Sequence, residues 1–250
     1  MKTTQANYKA IVSSDWNQCL APCGPFDPII FCYPHLSEDL SAIFKAYTGN
    51  KISLGQANRD VWSIIPAPLA IAQMDNYLDA CFRTYRGVPE LISWCKKNKI
   101  LFMINTTGMI GYFQRVFAKH LLPAVPVLSA NPMLRYPSAS TDPPDLYELS
   151  EVEDKGRNTD RALHAYSVSE KSLVIIGDSG GDGPHFQWGK QHQAYVIGSM
   201  AKQSLIDYCR RNGIEIDLLF GPIHDEERGE ATEMAIDFME LSSILMDMSH

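Results

Sequence analysis

Four absences narrow what this 250-residue chain can be. It has no excess of positive charge, because 22 Lys and Arg stand against 29 Asp and Glu, for a formal net charge of −7. A surface that tracks phosphates along nucleic acid needs the opposite balance, so no nucleic-acid partner is expected. None of the six cysteines forms a Cys-x-x-Cys pair and no histidines follow at zinc-ligand spacing, which argues against a structural zinc site. No apolar run is long enough to span a bilayer, and Met1-Lys2-Thr3-Thr4-Gln5 lacks the apolar centre of a signal peptide. A soluble, cytoplasmic protein without a membrane partner is therefore expected. Its thiols should be reduced, although Cys19 and Cys23 are close enough in sequence to be read as a disulfide. Finally, the sequence shows no internal repeat.

What is present is a normal core composition, 45% hydrophobic and 20% charged, and a few sharply punctuated apolar runs. Leu173-Val174-Ile175-Ile176 ends in Gly177-Asp178-Ser179-Gly180-Gly181-Asp182-Gly183, a glycine-rich turn carrying two aspartates four residues apart. Ala10 to Ser14 ends in the same manner at Asp15-Trp16-Asn17. A buried strand that stops at such a turn delivers carboxylates to the sheet edge where α/β proteins bind ligands.

Between these points the period of the pattern changes twice. Ala21 to Pro28 is a turn-rich hinge, and the next sixty or so residues read as helical. One helix starts near Ser37 and carries Leu40, Ile43, Phe44 and Tyr47; a second spans about 54–65, and a third about 69–84. From Gly87 onward strands and helices alternate. Pro89 opens a helix with Leu91, Ile92 and Cys95 on its apolar face, and a strand over 100–104 ends at Asn105-Thr106-Thr107-Gly108. A helix through Phe117, a strand over 126–130, a polar loop over 138–145 and a weak edge strand or hairpin over 147–152 follow. After a helix that begins near Lys155, the remaining strands are predicted at 173–177, 193–197 and 216–220. A helix over 204–212 lies between the last two, and one amphipathic helix closes the chain through Leu245. His224 to Arg228 reads as a solvated charged loop. Alternating strands and helices imply an α/β, doubly wound, mostly parallel sheet, a Rossmann-like core with a small helical cap inserted. The core is expected over 1–22 and 86–250 and the cap over 23–85.

Asp15 with Asn17, Thr106, Lys155, and Asp178 with Asp182 all fall at strand ends or helix starts, so one edge of a parallel sheet can gather them. Clustered carboxylates hold a hard divalent cation, and Mg²⁺ combines few carboxylates with waters or phosphate oxygens. A lysine and a hydroxyl beside that cation complete a phosphate cradle, in which an aspartate attacks phosphorus. The order and spacing resemble the haloacid dehalogenase-like hydrolase superfamily, most of whose members are phosphatases. Its Asp-x-Asp-x-Thr/Val motif is matched by Asp15-Trp16-Asn17-Gln18-Cys19, its strand-end Ser/Thr by Thr106, its helix-start lysine by Lys155, and its Gly-Asp-x-x-x-Asp by Gly177, Asp178 and Asp182. The similarity is greatest to the phosphoserine-phosphatase-like branch with a type 1 helical cap.

That resemblance implies a Mg²⁺-dependent phosphohydrolase for a small phosphorylated metabolite. Asp15 would be the nucleophile and a metal ligand, and Asn17 would give its backbone carbonyl to the metal. Thr106 and Lys155 would hold the phosphoryl group, with Thr107 and Gly108 beside them. Asp178 would be a metal ligand, and Asp182 a ligand directly or through water. Asn17 stands where the superfamily has its acid/base aspartate, and an amide neither protonates a leaving group nor activates water. Three readings stay open: a slow phosphatase, phosphonate or carbon–halogen cleavage, or binding without turnover. His35, Arg59, Trp62 and Arg83 in the insertion are read as structural or surface residues, and His185 as a helix-start residue facing solvent.

Overall fold

A computed structural model describes residues 7–49, 51–223 and 230–248. The charged run from His224 to Arg228 lies outside the described residues. Among them, seven strands form one sheet in the order β4-β3-β2-β1-β5-β6-β7: β1 Ala10–Ser14, β2 Ile100–Met109, β3 Val127–Asn131, β4 Asp145–Glu148, β5 Leu173–Gly177, β6 Tyr195–Ser199 and β7 Leu218–Phe220. Every pairing is parallel. The order runs one way from β1 to β4 and the other way from β5 to β7, so the topological switch point lies between β1 and β5. In open α/β sheets the crevice at that point, beyond the carboxyl ends of the strands, is where ligands bind.

Successive residues of each buried strand point to opposite faces, and two apolar cores result. Val12, Phe102, Ile104, Val174 and Ile176 join the core on one face, and Ile11, Leu101, Met103, Leu173 and Ile175 that on the other. The segment between β1 and β2 contains helices α1 Asp27–Cys32, α2 Ser37–Thr48, α3 Leu54–Ile64 and α4 Ile71–Cys81, then α5 Val88–Lys97, which returns the chain to the sheet. Leu40, Val61, Met74 and Leu78 of this insertion share one cluster with α5 and with α6 Ile110–Ala118. The opposite face is covered by α7 Asp154–Tyr166, α8 Gly183–Gln191 and α9 Gln203–Arg211. Among the described residues no helix is long and apolar enough to cross a membrane, and the six cysteines are free thiols.

Several boundaries differ from those read in the sequence. Helix α1 begins inside the turn-rich stretch because Pro28 lies in its first turn, where a missing N–H costs nothing. Strand β2 continues through Thr106, Thr107 and Gly108, with its pairing to β3 interrupted between Asn105 and Met109. The weak strand near 147–152 is an edge strand, displaced to Asp145–Glu148 and parallel to β3. The closing amphipathic helix is two helices, α10 Glu230–Met234 and α11 Leu241–Asp247. It breaks because Asp237 bridges to Arg86, and the Phe238 N–H donates to the Arg86 carbonyl at 2.9 Å. Beside this bridge Tyr85 stacks on Phe238, and its hydroxyl donates to the buried Glu233 carboxylate at 2.8 Å. Tyr85 and Arg86 lie where the chain leaves the insertion, so the segment around Glu233, Asp237 and Phe238 is fastened to that crossing.

Candidate active site

The switch point brings the two predicted strand ends together. The N–H of Asp15 donates to the Ile176 carbonyl at 2.9 Å, which fixes the start of one turn against the end of β5. Beyond Gly177 the chain folds back, and one oxygen of Asp182 accepts the N–H groups of Asp178 at 3.0 Å and Ser179 at 3.2 Å. Gly177 is required here, since a Cβ on it would lie 2.6 Å from Asp182. The result is a buried triad of Asp15, Asp178 and Asp182, each offering an oxygen within 4.8 Å of the others.

Two lysines face the triad. Asp154 accepts the N–H groups of Ser150 and Glu151, at 2.8 and 2.9 Å, and so fixes the loop that leads into α7. In that first turn Lys155 is buried, with Nζ 2.5 Å from Asp182 Oδ1 and 3.2 Å from Asp15 Oδ1. The sequence reading missed the second lysine. Lys202 follows β6, its N–H donates to the Asp178 carbonyl at 2.7 Å, and its ammonium donates to Asp178 Oδ2 at 2.6 Å and to Gln18. The signal for it was its position just past a strand end on the same sheet edge.

Burial and these pairings set the proton affinities. Burial raises the Asp15 carboxyl against the opposing pull of Lys155. It pushes Asp178 up to about 8, with Lys202 opposing. For Asp182 burial acts upward too, but the Lys155 ammonium and the backbone donors hold it below the usual carboxylate range. Burial disfavours the Lys155 ammonium, yet Asp15 and Asp182 keep it above the ordinary lysine range.

Behind Lys155 lies a buried polar network. Asn105 Nδ2 donates to the Lys155 carbonyl at 2.9 Å and to Thr159 Oγ1 at 3.0 Å, and Thr159 also meets Ser13 at 2.9 Å and His185 Nε2 at 3.1 Å. His185 is therefore no solvent-facing helix start, and it is 1% exposed because the first turn of α8 packs on α7. Burial, then the nearby Lys155 charge, lowers its pKa to about 3. Unfolded histidine takes up a proton near pH 6.5, so between about 6.5 and 3 acid favours the unfolded chain by about 1.4 kcal/mol per pH unit. His185→Gln keeps a partner for Thr159 and removes this proton. Denaturant unfolding from pH 7 to 4 should show a correspondingly shallower loss of stability in the variant. Equal slopes would mean that His185 is not held neutral.

Asn17 lines the site with its amide already engaged. Its Oδ1 accepts from the Thr106 hydroxyl at 3.2 Å, and its Nδ2 donates to the Cys23 carbonyl at 3.3 Å. Thr106, expected on a phosphoryl group, is fully buried; besides Asn17 its hydroxyl meets the Gly108 N–H at 3.1 Å. The neighbouring Thr107 forms part of the cavity wall, together with Lys155, Ser179 and Lys202. The insertion closes this cavity with Pro25, Phe44, Tyr47 and Thr48. A larger cavity, lined by Ile92, Phe102 and Val125 at the opposite sheet edge, has no carboxylate in its lining.

The donor set fits a hard divalent cation. Three carboxylates converge, and Asp15 Oδ1 is buried with no partner but the Lys155 ammonium at 3.2 Å. All-oxygen sites of this type suit such ions.

No family model matches the chain, and no curated protein does. Solved structures do. A phospho-aspartyl intermediate analogue of phosphoserine phosphatase is 16% identical, with a TM-score of 0.65 over 95% of this chain and 99% of that one. A substrate-bound phosphoserine phosphatase complex is 16% identical, with a TM-score of 0.66 over 94% and 97%. A haloacid dehalogenase family hydrolase from Salmonella enterica serovar Typhi is 15% identical, with a TM-score of 0.67 over 98% of this chain and 74% of that one. The chain has the haloacid dehalogenase-like fold, in its phosphoserine-phosphatase-like form.

Proposed function

We propose that the chain is a Mg²⁺-dependent phosphohydrolase that cleaves a small phosphorylated metabolite through an aspartyl-phosphate. One observation carries this reading: Asp15, Lys155 and the acidic pair Asp178 and Asp182 meet at the switch point, under a helical lid. The fold shared with phosphoserine phosphatases supports it. Residues 23–85 act as the cap and 1–22 with 86–250 as the core.

In this reading the Asp15 carboxylate attacks phosphorus and the bond to the leaving alcohol breaks. Water then cleaves the acyl phosphate and returns Asp15 as a carboxylate. Lys155 orients Asp15 and balances the phosphoryl charge, and Thr107, a residue of the cavity lining, stands beside Thr106 at the phosphoryl position. Asp15, Asp178 and Asp182, with the Asn17 carbonyl, would hold Mg²⁺, which when bound neutralises phosphoryl oxygens. Asn17 donates no proton to the leaving group, so the alkoxide takes one from water, and turnover is slow except with good leaving groups.

The test is phosphate release from a broad panel of phosphate esters with and without Mg²⁺. Mg²⁺-dependent release is expected, together with a rise in thermal stability on adding the metal, about 2.7 kcal/mol at a hundredfold excess over Kd. Asp178→Asn should abolish that rise. No turnover of any ester would overturn the catalytic reading. The engaged amide of Asn17 favours a second reading, a phosphometabolite-binding protein, for which tight binding without a trapped aspartyl-phosphate is the expected sign.

A further inference from the structure

The hydroxyl expected on the phosphoryl group already has partners. Thr106 is fully buried, its Oγ1 donates to Asn17 Oδ1 at 3.2 Å, and it accepts the Gly108 N–H at 3.1 Å. A hydroxyl has one proton to give, so Thr106 reaches a phosphoryl oxygen only by giving up Asn17. The insertion brings two more hydroxyl residues to the cavity, Tyr47 and Thr48. Thr48 donates inside its own helix, to the Phe44 carbonyl at 2.9 Å.

Tyr47 is placed differently. Its ring is buried with Leu54 and Ala57 of α3 and with Leu149, which stands in the loop leading into α7. That loop is also clasped to the insertion, because Glu151 Oε1 accepts the Gly55 N–H at 3.0 Å and the Ser53 hydroxyl at 3.1 Å. The phenol is thus carried over the glycine-rich turn. A Cβ on Gly181 would lie 3.2 Å from its oxygen and 3.6 Å from Ser179 Oγ. Burial raises the Tyr47 pKa, with the Lys155 charge and the Thr107 side chain opposing. The interaction is reciprocal, since the phenol is among the groups that act on the Lys155 ammonium. Tyr47 therefore keeps its proton at neutral pH and remains a hydrogen-bond donor.

We infer that Tyr47 is a binding residue for the phosphoryl group, its hydroxyl donating to a phosphoryl oxygen from the insertion side while Lys155 balances the charge from the sheet side. The insertion then does more than close the cavity, because it completes the phosphoryl site next to Thr107. The inference deepens the phosphohydrolase reading and rests on it for turnover, but binding of the free anion needs no reaction. A hydrogen bond to a charged oxygen is worth roughly ten- to a hundredfold in affinity.

The test is calorimetry of inorganic phosphate, with saturating Mg²⁺, on the parent chain and on Tyr47→Phe. Phenylalanine keeps the buried ring and removes only the hydroxyl, so the melting temperature and the Mg²⁺ Kd should match those of the parent. The phosphate Kd should rise roughly ten- to a hundredfold. With phosphate esters KM should rise on the same scale while kcat holds, the pattern of a contact made equally in the ground and transition states. Equal phosphate affinity in the two proteins would overturn the inference, as would a parent that binds no phosphate or a loss that the Mg²⁺ Kd shares. Phosphate affinity that falls in Tyr47→Phe, in a parent that hydrolyses no ester, would overturn the catalytic reading and leave the role of Tyr47 standing.

Discussion

Asp15→Asn should abolish phosphate release, with kcat reduced on the order of 10⁴-fold or more, the scale on which loss of a covalent nucleophile acts. Ordinarily such a loss is ambiguous, because a buried residue also supports the fold. Here the environment separates the two effects. Asp15 Oδ1 has no partner but the Lys155 ammonium at 3.2 Å, and burial penalises its charge more than that ion pair relieves it. Lys155 keeps its 2.5 Å contact with Asp182 when Asp15 becomes neutral. Asparagine therefore removes a destabilised charge, and the metal-free variant should melt at or above the temperature of the parent. An aspartyl-phosphate trapped on the parent and absent from the variant completes the result. Retained turnover would show that another group attacks phosphorus.

The second large effect is a gain. Asn17→Asp should raise turnover of esters with poor leaving groups by roughly a hundred- to ten-thousand-fold, the usual worth of general acid–base help. The structure says why the new group would be an acid. The atom that replaces Nδ2 would sit 3.3 Å from the Cys23 carbonyl, an acceptor facing an acceptor unless a proton lies between them. The other oxygen would keep the Thr106 hydroxyl at 3.2 Å. The protonated carboxyl is thus favoured at rest, and its proton reaches a leaving alkoxide by giving up the Cys23 carbonyl. Rates that rise for alkyl but hardly for aryl phosphates would be the signature. An unchanged alkyl rate would mean that the missing acid does not limit turnover.

Much of this arrangement was legible in the chain, for identifiable reasons. Strands β1 and β5 are short apolar runs stopped by polar turns, and that punctuation is local. So are the Gly-Asp-x-x-x-Asp turn and the position of Lys155 ahead of a helix. What the sequence hid depends on contacts between distant segments. Lys202 reaches Asp178 across 24 residues only because β5 and β6 pair in register. The Asn17 amide is held by Cys23 on one side and Thr106 on the other, and the second contact spans 89 residues. His185 looked exposed because a histidine in a first helical turn gives no sign of the Thr159 network waiting on α7. The final helix breaks where a tertiary bridge to Arg86 outweighs a continuous apolar period.

That bridge has a practical side. In the proposed division into cap and core the chain crosses twice, and the second crossing, at Tyr85 and Arg86, is clamped by Glu233, Asp237 and Phe238. A change at any of these three residues would loosen that crossing from a distance. None of the three lines the cavity over Asp15, Asp178 and Asp182, so the crossing could be loosened without altering that lining.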